Sequence, residues 1–254
     1  MGNSILGSRI RRLCRNASTV TFCATDDGDY RHRFCASRCI ARAAGRSTAK
    51  RRGSVVLVGS VGGGGFAQFC SSPEWGKVTD PMDRYTERVI GTVACAFDAC
   101  AIFPQQGPPW WPFQRWASRA EAVFPSPLQI LIHPQHGLWH AYRAALIFDT
   151  HLVGMPGAEV AKGPNPCAQC RVRPCLSACP VGAFDEHGFD CVRCEDHLRS
   201  PAGRSCLDRG CAARNACPVA PQRQYCVAQK QFHMRAFSAS ASVCAAPSKK
   251  DTID

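Results

Sequence analysis

The sequence predicts an α+β protein in two parts, an α+β domain at residues 54–153 and a small, loop-rich cysteine domain at residues 167–237. In the first part, apolar runs of strand length alternate with segments of helical periodicity. In the second part, nine cysteines lie between residues 167 and 217, and only short apolar runs separate them. The remaining segments are predicted to be a basic arm (1–53), a Gly/Pro-rich linker (154–166) and a polar tail (238–254).

The basic arm holds most of the net charge of +12. Twelve of the 31 Lys and Arg residues, but only three of the 19 Asp and Glu residues, lie in residues 1–53. A disordered arm is the favoured interpretation, because such a composition buries little apolar surface. A wrongly assigned translation start, an organelle-targeting peptide and a cysteine metal site are the alternatives. If the arm is disordered, residues 1–53 are dispensable for stability.

Composition limits the class of protein. A chain of 254 residues can bury a sizeable core, and 45% hydrophobic with 20% charged residues is typical of a globular protein that does not enter a membrane. Eighteen cysteines without an apolar signal segment predict a reducing compartment, the cytoplasm, where a metal engages the thiols. Because the body after residue 53 is nearly neutral, nucleic acid is not predicted as a partner.

Within 54–153, the apolar run 54–60 predicts a buried strand. Asp80 as N-cap and a proline after it predict the start of a helix. That helix is predicted to bury a stripe spaced four residues apart, formed by Tyr85, Val89, Val93 and Phe97. A short strand at 101–103 and a helix at 114–123 follow, on either side of a proline-bound aromatic loop. The loop contains Trp110 and Trp111.

The segment 128–148 is predicted to be a β-hairpin. Residues 128–133 form an apolar strand, the Pro-Gln-His-Gly stretch at 134–137 reverses the chain, and residues 138–148 form the returning strand. The three histidines of this hairpin (His133, His136 and His140) are interpreted as packed or surface side chains rather than metal ligands.

The cysteine domain opens with Cys167-Ala-Gln-Cys170-Arg-Val-Arg-Pro-Cys175-Leu-Ser-Ala-Cys179-Pro180. Bacterial iron–sulfur proteins use the pattern C-x2-C-x2-C-x3-C-P, whose fourth cysteine ligates the other cluster when two are present. The gap before Cys175 is two residues longer here, but both ends of the pattern are intact.

A second set of cysteines is therefore expected downstream. It consists of Cys191, Cys194, Cys206, Cys211 and Cys217, the last followed directly by a proline. Two C-P endings about forty residues apart favour two 4Fe-4S clusters. A pair of structural zinc sites, which also use CxxC pairs, remains the alternative.

From about residue 164 to residue 237, the sequence resembles a bacterial-type dicluster 4Fe-4S ferredoxin domain. It is similar, more narrowly, to the ferredoxin half of epoxyqueuosine reductases and related corrinoid enzymes. In that family an isolated cysteine opens a short helix between the two groups, and Cys194 matches it. One departure stands out, because Ala213 and Arg214 occupy the place of a middle cysteine in the terminal group. Cys206 would then complete the ligand number.

The resemblance implies a crossed assignment of eight ligands. The first cluster would be held by Cys167, Cys170, Cys175 and Cys217, and the second by Cys179, Cys194, Cys206 and Cys211. Nine cysteines are present for eight positions, and the resemblance leaves Cys191 as the spare one.

A weaker resemblance covers some twenty-five residues of the first part. The stretch ILIHPQHGLWHAYRAALIF, together with DPMDR upstream, is similar to the cobalamin-processing protein of vitamin B12 metabolism, which has a flavin-nitroreductase-like fold. Epoxyqueuosine reductase also joins a corrinoid-binding domain to a dicluster domain. The two resemblances together imply a nitroreductase-like first domain that binds cobalamin or a flavin. Trp110, Trp111 and Trp139 are the candidate side chains against that cofactor.

We therefore expect an iron–sulfur electron-transfer protein that serves a redox partner protein. One alternative is a corrinoid- or flavin-dependent reductase that contains its own two clusters, and another is a cysteine-rich zinc protein associated with nucleic acid. The sequence contains no recognisable catalytic nucleophile, base or hydrolase motif, so catalysis would belong to the cofactor. It predicts neither the oligomeric state nor the electron donor and acceptor.

Overall fold

The described residues form short strands and helices, and the largest sheet has four strands. The computed structural model describes the backbone of residues 19–24, and residues 53–76, 79–108, 110–152, 163–185 and 188–240. The strands are β1 (Thr19–Ala24), β2 (Ser54–Val61), β3 (Cys100–Ile102), β4 (Phe124–Pro125), β5 (Leu131–Ile132), β6 (His140–Phe148), β7 (Phe184–Asp185) and β8 (Gly188–Phe189).

Most of the helices are short. In chain order they are α1 (Phe66–Cys70), α2 (Pro81–Ala96), α3 (Phe113–Ala120), α4 (Pro166–Gln169), α5 (Pro174–Ser177), α6 (Cys191–Arg199), α7 (Arg204–Arg209), α8 (Ala212–Asn215) and α9 (Val227–Ala239). Two 3₁₀ turns, Pro201–Gly203 and Pro221–Arg223, lie among them. The predicted mixed α+β class is confirmed. Among the described helices, none combines the length and the apolar character that a membrane span requires.

The main sheet has the strand order β1-β2-β6-β3, and all its neighbours are antiparallel. The register of β2 against β6 shifts between Val58 and Gly59. A Cβ at Gly59 would overlap the carbonyl oxygen of Ala141, so the two strands can approach closely only at a glycine. The predicted strand at 54–60 is confirmed and extends by one residue.

The edge strand β1 corrects the prediction that the whole of residues 1–53 is a disordered arm. Its six residues pair antiparallel with β2 along their full length, from Thr19 opposite Ser60 to Ala24 opposite Val55. A six-residue apolar and β-branched run inside an arginine-rich segment is short enough to be overlooked. Its pairing partner lies more than thirty residues away in the sequence, so local composition does not show it. The rest of the predicted arm lies outside the described residues.

Helix α2 covers one face of the sheet, but with a different set of side chains than predicted. Its fully buried residues are Thr86, Ile90 and Ala94, which belong to one helical stripe. Ile90 and Ala94 join the core cluster with residues of β2 and β6. Val89 and Val93 of the predicted stripe are only partly buried beside that cluster. The buried stripe is shifted by one residue from the predicted stripe. The sheet packs against the centre of the apolar face of the helix, and the predicted residues lie toward one edge of that face.

The predicted hairpin at 128–148 is wrong in its pairing. Residues 140–148 do form a strand, but β6 pairs with β2 and β3 rather than with 128–133. The earlier strand shrinks to β5, and the turn closes only on an isolated bridge between His133 and Gly137. A nine-residue strand gains more ladder hydrogen bonds from the eight-residue β2 than from a two-residue neighbour.

The chain divides into two compact units. Unit 1 comprises Met1–Phe124 and His140–Gly163, and unit 2 comprises Pro125–Trp139 and Pro164–Asp254. This division differs from the predicted boundaries, since 125–139 belongs with the cysteine-rich segment instead of with 54–124. The two 3₁₀ turns and all helices from α4 onward lie in unit 2, including α9, which begins six residues later than the predicted helix at 221–237.

Removal of residues 1–52 is expected to destabilise the protein, contrary to the expectation from composition. The truncation deletes β1 and leaves the backbone groups of β2 unpaired on one side. Ladder hydrogen bonds contribute about 1 kcal/mol each, so the thermal midpoint should fall by at least about 5 °C. Thermal unfolding followed by circular dichroism measures the change.

A truncation that removes only residues 1–17 is the matched control, because it retains the whole of β1. Its thermal midpoint should equal that of the full chain. Equal midpoints for both truncations would show that β1 contributes nothing to stability.

Candidate metal centre

Two short helices position the first predicted ligands. Cys167 lies in α4, where its N–H donates a 2.9 Å hydrogen bond to the side-chain oxygen of Asn165. Cys175 lies in α5, directly after Pro174. Pro166 likewise opens α4, and a proline at the first helical position has its φ already set for a helix. A proline therefore sets the start of both one-turn helices, and Asn165 also caps α4. The helix starts in turn fix the backbone positions of Cys167 and Cys175.

The first four predicted ligands lie within electrostatic range of one another. The pKa of Cys167 is raised to about 11, first by burial and then by the neighbouring thiols of Cys217, Cys175 and Cys170. Burial also raises the pKa of Cys217, and the thiols of Cys175 and Cys170 add to that effect. Cys217 thus joins three thiols that precede it by more than forty residues.

The second four predicted ligands form a separate group. The pKa of Cys194 is raised to about 12, first by burial and then by the thiols of Cys211, Cys179 and Cys206. Burial raises the pKa of Cys211 as well, with Cys206 and Cys179 contributing in the same direction. Cys179, although it ends the first motif, belongs electrostatically to the downstream set. This is the crossed arrangement that bacterial dicluster proteins use.

Backbone N–H groups face several of these sulfur atoms. The N–H of Ala183 donates to the Cys179 Sγ at 3.3 Å. Backbone hydrogen bonds from Arg214 and Ala213 lower the pKa of Cys211, and one from Val219 lowers that of Cys217. Such donors stabilise negative charge on sulfur, as a ligating thiolate requires.

The donor set fits two iron–sulfur clusters. All eight thiols are free, and each is half-buried or buried. In the part of the chain that the structure describes, no group of three or more His, Cys, Asp or Glu side chains is placed as the site of a single metal ion. The assignment therefore depends on the grouping of the thiols in two sets of four and on their N–H donors.

The ninth cysteine of the region differs from the other eight. Cys191 is disulfide-bonded, whereas Cys194 on the same helix α6 is a free thiol. Helix α6 starts where Asp190 accepts a 2.9 Å hydrogen bond from the Arg193 N–H. Cys206 of the second set is buried, and its Sγ lies 3.9 Å from His197 Nε2.

A cationic stack holds the loop between Cys211 and Cys217. The Arg214 guanidinium lies over the rings of Trp139 and Tyr225, at 4.7 and 4.8 Å from their centroids, and donates to the Leu138 carbonyl oxygen. The Lys230 ammonium lies 5.1 Å from the Trp139 centroid. Cation–π contacts of this kind contribute about 0.5 to 2 kcal/mol each. Arg214 is therefore a structural residue that joins 125–139 to the cysteine segment.

Gly137 reinforces this join, and sequence reasoning missed it. Gly137 has φ of +59°, and a Cβ there would overlap the carbonyl oxygen of Val219, two residues after Cys217. The Gly-x-Trp spacing of Gly137 and Trp139 was available as a signal. From the sequence alone this spacing predicts a hairpin turn. The contact that requires glycine comes from Val219, which is far away in the chain.

The predicted aromatic side chains do not share one environment. Trp139 is only 1% exposed and belongs to unit 2, where cations cover its ring. Trp110 is 66% exposed, and Trp111 is half-buried with its centroid 6.1 Å from that of Trp116; all three belong to unit 1. Trp110 and Trp111 are therefore the members of the predicted set with an accessible ring.

Of the three histidines, two lie together in unit 2. The rings of His133 and His136 stack at 4.2 Å, and the pKa of His136 is lowered to about 4, first by burial and then by the charges of His133 and Arg223. His140 lies in unit 1, with its ring edge-on to Tyr142 at 5.6 Å. The stacked pair matches the interpretation of packed histidines.

Among solved structures, the chain is similar to two epoxyqueuosine reductases. One, from Bacillus subtilis, is 12% identical with a TM-score of 0.47, and the match covers 87% of this chain and 68% of that chain. The other, which contains an epoxyqueuosine-modified tRNA stem loop, is 14% identical with a TM-score of 0.46 and the same coverage. No protein-family model and no curated protein matches the chain. Identities and TM-scores this low show neither a family nor a function for this chain.

Proposed function

We propose that the protein is an iron–sulfur electron-transfer protein with two 4Fe-4S clusters and a protein redox partner. The observation that supports this most directly is the separation of eight free thiols into two mutually interacting sets of four. The first cluster would be held by Cys167, Cys170, Cys175 and Cys217, and the second by Cys179, Cys194, Cys206 and Cys211.

When bound, such clusters accept and donate single electrons at potentials that depend on hydrogen bonds to sulfur and on solvent exposure. The chain contributes the thiolates, the N–H donors that face Cys179, Cys211 and Cys217, and partial burial of both sets. Free thiols as strongly desolvated as Cys167 and Cys194 hold their protons at neutral pH, so cluster binding must displace protons. We also propose a cytoplasmic location, because eight cysteines must remain reduced to bind two clusters.

The anaerobically purified protein should be brown, with about eight iron and eight sulfide ions per chain. Cys175→Ser removes one ligand of the first set and should lower the iron content by about half. Iron and acid-labile sulfide assays, with absorbance before and after dithionite, measure both. Cys226→Ser is the matched control, because Cys226 is an exposed thiol outside both sets.

A colourless protein with about two zinc ions per chain would contradict the iron–sulfur proposal and favour the zinc alternative. Full iron content in Cys175→Ser would show instead that the proposed ligand set is wrong. The second result leaves the presence of clusters intact, so the two failures are distinguishable.

The choice between Cys191 and Cys194 is tested separately. Cys194→Ser should lose about half of the iron, because Cys194 interacts with three thiols of the second set. Cys191→Ser should keep all of it, since Cys191 is outside both sets of free thiols. Iron loss in Cys191→Ser alone would reverse the assignment.

A second candidate function is a corrinoid- or flavin-dependent reductase that contains its own clusters. The observation in its favour is the exposed Trp110 beside the half-buried Trp111, because aromatic rings stack against planar groups. A reductase would bind the cofactor in unit 1 and receive electrons from the clusters. An electron carrier needs no such cofactor.

Titration of the anaerobic protein with cobalamin and with flavin mononucleotide separates these functions. For a reductase, tryptophan fluorescence should be quenched with saturation at about one equivalent, and Trp111→Ala should weaken binding about tenfold. Trp75→Ala is the control, because Trp75 is also partly exposed (38%) but packs against Phe66 and Phe69. Absence of quenching by either compound, in a protein with full iron content, would favour the electron carrier.

A further inference from the structure

The loop between Cys170 and Cys175 exposes an apolar side chain flanked by two cations. Val172 is 84% exposed, and both Arg171 and Arg173 are exposed. These three residues belong to the gap that is two residues longer than in the bacterial pattern. The loop therefore presents one apolar side chain between two cations to solvent.

The charges of this loop are not neutralised locally. In unit 2, four other exposed arginines form ion pairs with acids: Arg193 with Asp190, Arg199 with Glu195, Arg204 with Asp208 and Arg235 with Asp208. Among the described residues, neither Arg171 nor Arg173 has an acidic partner. Arg209 and Arg223 also have none there, but no exposed apolar side chain stands next to either of them.

The loop also lies close to the first ligand set. Burial is the largest influence on the pKa values of Cys167 and Cys175, and the charge of Arg173 opposes it at both thiols. The backbone of Arg173 is left-handed, with φ of 43°, and the next residue is Pro174. A non-glycine residue in this conformation is uncommon, and such residues concentrate at functional sites.

We propose that the segment Arg171–Arg173 is the docking site for an acidic electron-carrier protein. This rests on the proposed function, because it identifies the partner that would exchange electrons with the first ligand set. In the exchange, the reduced carrier loses one electron and this chain gains it, with no atom or proton transferred. The loop is the covalent link between Cys170 and Cys175, so a carrier bound to it would lie beside two members of that set.

The chemistry of the loop favours a protein over a nucleic acid. Electron-transfer complexes are small and transient, and charge complementarity around a small apolar contact sets their association rate. Two arginines beside a valine match an acidic protein face of this kind. Nucleic-acid binding typically uses a larger number of Lys and Arg contacts to phosphate, and an exposed valine contributes nothing to them.

The test uses a plant-type 2Fe-2S ferredoxin, an acidic low-potential protein, as the probe. The double variant Arg171→Glu/Arg173→Glu should bind oxidised ferredoxin about tenfold more weakly at low salt, with a reduced dependence on ionic strength. Titration calorimetry measures the binding, and anaerobic stopped-flow absorbance measures transfer from reduced ferredoxin. Arg204→Glu is the control. The Arg204 side chain is also exposed (76%), but unlike Arg171 and Arg173 it has an acidic partner, Asp208.

Iron content separates the two levels of failure. If every variant contains both clusters and the double variant binds ferredoxin as the unsubstituted protein does, the docking site is refuted while the proposed function stands. If the unsubstituted protein contains no iron, both are refuted. A double variant that loses affinity only for an RNA stem loop, assayed in parallel, would assign the loop to nucleic acid and overturn the proposal.

Discussion

The desolvation of closely spaced thiols is the interaction on which unit 2 depends, and it raises the pKa of Cys167 and Cys194. Burial removes water from the sulfur atoms, and each thiol raises the pKa of its neighbours, as at Cys167 and Cys194. At neutral pH the Cys167 and Cys194 thiols therefore hold their protons. Backbone N–H groups oppose the rise in pKa at Cys211 and Cys217, and another N–H donates to the Cys179 Sγ. The balance suits a polynuclear metal centre, whose binding supplies positive charge and displaces the protons.

Unit 2 supports the thiols with short helices and a few buried apolar side chains, among them Ile132, Leu138 and Trp139. Its helices are mostly one or two turns long, and the C-terminal helix α9 has only Gln229 fully buried. A small unit of this kind needs additional links. Arg214 provides one by packing its guanidinium between Trp139 and Tyr225, and Gly137 provides another by its close approach to Val219. Residues 125–139 are therefore part of the support for the terminal ligand loop.

Charge is distributed unevenly over the surface of unit 2. Several arginines form ion pairs with acids on the same helix or next to it, so each pair carries no net charge. The ligand loop with Arg171 and Arg173 has no such acids in the described residues, so its field acts on solvent and on approaching molecules. A positive loop beside a metal centre would also favour added electrons, since a nearby cation stabilises the more negative state. The same two side chains can therefore influence both association and electron affinity.

The sequence by itself predicted the strand at 54–60 and the helix that begins after Asp80, and the structure contains both. The two sets of four cysteine ligands stay a prediction. Apolar runs and helix-start signals act over a few residues, so they depend little on the tertiary arrangement. The tertiary structure decided the pairing of β1 with β2, the partner of β6, the buried stripe of α2 and the unit to which Trp139 belongs. Each of these depends on competition between segments far apart in the chain. A segment pairs with the partner that buries more area or forms more ladder hydrogen bonds with it. The sequence of the segment itself does not show which partner that is.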